Sequence, residues 1–98
     1  MTVTLTLDRK LDYRVIAPLA DELKASLGQD IVLDATGTAQ IGAQAVQILI
    51  AAAKACHAAH CSLRFVNASV AVEGQLALLG LTVADVEAGG DAQWRAWS

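Results

Sequence analysis

The sequence predicts an α/β fold in a single domain. Strand-like and helix-like segments alternate along the chain, which argues for a mostly parallel sheet with right-handed crossovers. Apolar residues make up 55% of the 98 positions, well above a disordered composition. No repeat or linker divides the chain, and its length suits one domain with one core.

The elements follow in order. Val3, Leu5 and Leu7 alternate with Thr2, Thr4 and Thr6, the period-two pattern of a strand with one buried face. The charged segment Asp8–Tyr13 is expected to turn. Ile16, Leu19, Ala20, Leu23 and Leu27 recur at helical spacing. Pro18 is expected near the start of that helix and Gly28 just past its end. Ile31-Val32-Leu33 reads as a central strand buried on both faces. Asp34 to Gln40 forms the connecting loop. Ile41, Ala45, Ile48, Leu49, Ala52, Ala53 and Cys56 then lie on one stripe of a long helix running to about Ala59. Ser62–Asn67 is a third strand.

Ser69 is placed to cap a third helix, with Glu73 near its positive end. Val72, Leu76 and Leu79 form its stripe, and Gly80 ends it. Leu81 to Val86 is expected to add a short strand or turn. The boundary falls after residue 86: residues 1–86 form the domain and 87–98 a polar tail carrying Trp94 and Trp97.

Charge narrows the function classes. The net charge is −3, and the seven Lys and Arg are scattered. Phosphate recognition needs clustered cations, so nucleic acid is not an expected partner. No apolar run reaches the roughly 18 residues of a membrane span. The N-terminus lacks the charged start and apolar block of a signal peptide, so a cytoplasmic location is expected. Two cysteines five apart do not make a disulfide framework.

Enzyme signatures are weak. The glycine pair in Gly37-Thr38-Ala39-Gln40-Ile41-Gly42 has no Lys-Ser/Thr partner to hold a nucleotide's phosphates. Asp21-Glu22 lies on the outer side of the first helix and reads as a solvated pair. Cys56, His57, His60 and Cys61 form the sharpest cluster, and zinc uses such residues at helical spacing. All four fall within six positions, too close for one helix end to wrap four ligands round an ion. Neither a metal, a cofactor nor a catalytic residue is therefore expected.

The loop after the central strand is the candidate site. Asp34 ends that strand, where sites gather in open α/β sheets. Thr36-Gly37 supplies the turn. Gln40, Ala43, Gln44 and Gln47 follow on the exposed side of the long helix. No Lys, Arg, Asp or Glu occurs between Gly37 and Ala53, so a protein partner can approach this face closely.

These residues resemble the STAS domain of bacterial anti-sigma factor antagonists. The likeness spans roughly residues 3–85 and rests on three stretches. KLDYRVIAPLADEL is similar to the family's Leu-Asp turn and first helix. IVLDATGTAQIGAQAVQILIAAA is similar to its central strand, Asp-x-Ser/Thr-Gly turn and long helix. NASVAVEGQLALLGL is similar to its late segment. The resemblance implies a single domain with a mixed sheet of four to five strands and three to four helices. It also implies binding to an anti-sigma factor that is a serine kinase, with phosphorylation of one hydroxyl at the long helix's start abolishing that binding.

Here the matching positions read Gly42, Ala43, Gln44, Ala45. The acceptor position, Ala43, has no hydroxyl, and Gly42 replaces the acidic residue before it. Asp12 matches the family's acidic turn residue, and Thr36 and Thr38 are the nearby hydroxyls. The resemblance therefore implies a non-enzymatic module that binds its partner through Asp12, Asp34, Thr36, Gly37, Gln40, Gly42, Ala43, Gln44 and Gln47, without the usual phosphoswitch. A chemotaxis adaptor, a nucleotide or small-ligand sensor and a lipid-transporter subunit are the other roles it implies. Homodimerisation stays open.

Overall fold

The computed structural model describes residues 2–89. Its elements are β1 (Thr2–Thr6), β2 (Lys10–Leu11), α1 (Tyr13–Ala25), β3 (Asp30–Asp34), β4 (Gln40–Ile41), α2 (Ala43–Ala58), β5 (Leu63–Val66), α3 (Val70–Leu78) and α4 (Val83–Glu87). The α/β class is as the alternation predicts. Five strands and four helices fall within the predicted counts. The strands divide into a three-stranded sheet ordered β1-β3-β5 and a two-stranded sheet of β2 and β4. Every described pairing is parallel.

Register decides which side chains meet the helices. Val3, Ile31 and Leu63 form one row and Leu5, Leu33 and Phe65 the next. This face carries the core: Ile31 and Leu33 are fully buried, and Ala45, Leu49, Ala53 and Cys56 of α2 close the same apolar cluster. The opposite face carries Thr2, Thr4, Thr6, Val32, Arg64 and Val66, all exposed or half-exposed. The expectation that β3 is buried on both faces thus needs correction. β3 is central, but no described element covers the side on which Val32 lies.

Other boundaries shift for physical reasons. Asp8–Tyr13 holds β2 as well as a turn, and α1 begins at Tyr13 because Asp12 caps it, accepting from Arg14 N–H at 3.0 Å. Pro18 is then the sixth helical residue and cannot donate to the Arg14 carbonyl. Leu27 lies beyond α1 and is 40% exposed, while Leu19 and Leu23 hold the buried stripe. Ser26, not Gly28, is the C-cap; Gly28 follows two residues later with φ +93°.

Ile41 belongs to β4 rather than to the long helix, and Ile48 is only half-buried. In α3, Ser69 caps as expected and Val72 and Leu76 are buried, but Leu79 is the C-cap and stands 37% exposed. Leu81 to Val86 does not form a strand. Thr82 and Asp85 form a reciprocal capping box that starts α4. The Glu87 carboxylate accepts the Phe65 N–H on the outer edge of β5 at 2.8 Å, and Gly89 is buried. Trp94 and Trp97 lie outside the described residues. Among those residues no helix is long and apolar enough to cross a membrane.

Candidate functional site

The β2–β4 pairing builds the site. It joins Lys10 to Gln40 and Leu11 to Ile41, laying the β1–α1 connection beside the β3–α2 connection. Gly42 N–H donates to the Leu11 carbonyl at 3.2 Å. Asp12, the cap of α1, and Gly42, the cap of α2, follow directly on the two strands. Two helices therefore start side by side at the carboxyl end of the sheet.

The two starts differ. Asp12 accepts from the Arg14 backbone N–H and pairs with the Arg14 guanidinium at 2.8 Å. These contacts, the guanidinium first, hold its carboxyl below the usual range. Asp12 is thus committed to its own helix. Gly42 has no side chain to offer, and no side chain caps α2. Its position is not a steric necessity: an added Cβ would meet the Leu11 carbonyl at an ordinary 3.5 Å.

Asp34 anchors the loop. Its Oδ1 accepts from the Thr36 hydroxyl at 2.6 Å, the Thr36 N–H at 3.0 Å and the Asn67 side-chain amide at 3.2 Å. The Thr36 hydroxyl leads these donors in holding the carboxyl below its ordinary value. Thr36 and Gly37 are exposed in the turn. Thr38 is 2% exposed, and its hydroxyl donates to the Asp8 carbonyl at 2.9 Å.

Gln75 of α3 fastens the loop's end. Its Oε1 accepts the Ile41 N–H at 2.7 Å, and its Nε2 donates to the Ala39 carbonyl at 3.0 Å. Ser69 donates from its hydroxyl to the Thr38 carbonyl at 3.4 Å. None of Asn67, Ser69 and Gln75 stands among the residues that the sequence marks for the site. Gln75 had a signal: it is a lone amide on the inner side of an apolar helix.

The structure brings Asp34, Thr36, Gly37, Gln40, Gly42, Ala43, Gln44 and Gln47 to one end of the molecule. From Thr36 on, all of these are exposed, and Asp34 is half-exposed. Asp12 sits beside them as a cap. The exposed part of the surface from Gly37 to Gln47 consists of backbone, small side chains and three glutamines.

The second cluster does not come together. Cys56 is fully buried in the core, and its burial pushes the thiol's pKa up. His57 and His60 are exposed. Among the described residues no three His, Cys, Asp or Glu side chains are grouped to hold a metal. His60 has a backbone role. It takes φ +61° one residue past the α2 cap; its N–H bonds the His57 carbonyl, and Cys61 N–H bonds Cys56 at 2.8 Å. That is a Schellman ending with histidine where glycine is usual.

A family model described as "Mlab, STAS domain" matches residues 1–86. No curated protein and no solved structure matches the chain.

Proposed function

Because the chain belongs to the STAS domain family, we propose that it is a non-enzymatic, cytoplasmic signalling module. It binds a regulatory protein of the anti-sigma factor and serine-kinase type through the surface from Asp34 to Gln47. The observation that supports this reading is the α2 start: Ala43, Gln44 and Gln47 are exposed, uncharged and set on a braced loop. Burying neutral groups costs far less than burying charges, so a partner that supplies hydrogen bonds to the glutamine amides can pack onto this face closely. The uncapped N–H groups of the first turn also offer an acceptor on the partner a complementary contact.

Binding is constitutive in this reading. A phosphate adds nearly two negative charges and ejects a partner, but Ala43 has no hydroxyl to carry it. Thr38 is buried and engaged, and the exposed Thr36 hydroxyl is held by the Asp34 carboxylate at 2.6 Å, which counts against both as substitutes. No radiolabel is then expected at this loop when the domain meets a cognate kinase.

Affinity capture with mass spectrometry tests the proposal. Recovery of an anti-sigma factor or kinase supports it, and Gln44→Arg should weaken that complex roughly tenfold or more by burying an unpaired charge. Recovery of chemotaxis proteins, or of transporter subunits, assigns the same surface to one of those roles instead. The proposal fails if no regulatory protein is recovered and Gln44→Arg changes nothing.

A further inference from the structure

α3 is apolar on both of its sides. Val72 and Leu76 are buried in the core. On the opposite side Val70, Ala71, Gly74, Ala77 and Leu78 are all exposed and fall within an arc of roughly 120°. Val70 and Leu78, at 86% and 88%, are the most open large apolar side chains among the described residues. A helix that is apolar all round is ordinarily covered all round.

Gly74 points the same way. It lies inside α3, where glycine weakens a helix relative to alanine. An added Cβ would meet nothing within 4 Å, so no described neighbour in the same molecule requires the gap. A missing side chain on a helix surface lets a second helix approach closely.

The exposed face also matches itself. Counting outward from Gly74, Ala71 answers Ala77 and Val70 answers Leu78. A two-fold axis at Gly74 sets two copies of α3 antiparallel, with Val70 on Leu78 of the second copy, Ala71 on its Ala77 and glycine on glycine. An isologous interface demands such self-matching, whereas a foreign partner does not. Glu73, the one charge on α3, flanks this face in the first turn, where its own helix stabilises it.

We propose that the protein self-associates through α3, as a two-fold antiparallel helix pair crossing at Gly74. One nine-residue helix covers far less than the ~800 Å² per partner of a standard interface, so the dimer is weak and grows with concentration. The contact is separate from the Asp34–Gln47 surface and stands whether or not that surface binds a kinase.

Sedimentation velocity and amide NMR shifts over a concentration series of the full chain test it. The sedimentation coefficient should rise with concentration, and the amides of residues 70–78 should move with it. Leu78→Glu and Val70→Lys should each abolish the rise. The double variant should restore it, because the two-fold sets each new cation against the second copy's new carboxylate. Gly74→Leu should stabilise α3 yet weaken association roughly tenfold or more by holding the helices apart. Glu73→Gln should tighten the dimer, since the axis brings both Glu73 carboxylates to one side of the pair. Thr4→Glu, on the uncovered sheet face, should change nothing. All these positions are exposed, and circular dichroism checks that each variant is folded.

A monomer at every concentration overturns the proposal and assigns the face to a different protein. Association that survives both Leu78→Glu and Gly74→Leu overturns it as well. Loss with Thr4→Glu would place the contact on the sheet, and a double variant that stays monomeric would exclude the antiparallel two-fold; either result overturns it.

Discussion

Three donors converge on one oxygen of Asp34, and this sets how the loop meets acid. The folded carboxyl ionises below its ordinary value near 3.8. A lowered folded value stabilises the fold above the ordinary value, and that contribution is lost as pH falls through the folded one. Thr36→Val removes the leading donor but keeps the backbone N–H and Asn67. The Asp34 pKa should therefore rise part of the way towards 3.8, which a carboxyl-carbon NMR titration reads. No change would show that the Thr36 hydroxyl does not hold the charge. His60 makes the second residue-scale case. A side chain with a Cβ costs energy at φ +61°, so His60→Gly should stabilise by about 1 kcal/mol in a denaturant melt. The turn at Thr36-Gly37 was legible in the sequence because its residues are local; the Thr36 bonds to Asp34 inside it come from the structure. Asn67 was not legible, because its bond to Asp34 spans 33 residues.

At the scale of elements, the shortest pieces matter most to the site and announce themselves least. β2 and β4 are two residues each, too short for any periodicity to show. Ile41 misled for a particular reason: it falls four residues before Ala45, so a buried strand residue extends the helical stripe without belonging to it. α4 did carry a signal, since Thr82 and Asp85 have capping-box spacing, but five residues give no stripe to support it. Gln75 ties these pieces together. Gln75→Ala leaves the part-buried Ile41 N–H without its partner while water replaces the amide at the exposed Ala39 carbonyl, and should cost about 1–2 kcal/mol. Hydrogen exchange should localise the change to residues 39–42. Unaltered protection there would mean that β2 alone holds β4.

For the molecule as a whole, the fold class was readable because alternation needs no knowledge of partners. The uncovered sheet face was not readable. The run Ile31-Val32-Leu33 is equally apolar whether one or both sides are covered, and only the register with Thr4 and Arg64 reveals the second side as wet. The candidate surface was legible as a lack of charge, but not as two adjoining helix starts, which depend on β2 meeting β4 across thirty residues of chain. One consequence concerns how the protein can be shortened. Glu87 lies one residue past the family match, and its carboxylate blocks the outer border of β5. A version ending at residue 86 would present that border bare, an invitation to strand-by-strand growth between molecules. It should raise light scattering within a purification that leaves the full chain clear, and equal clarity of the two would show the border to be protected by other means.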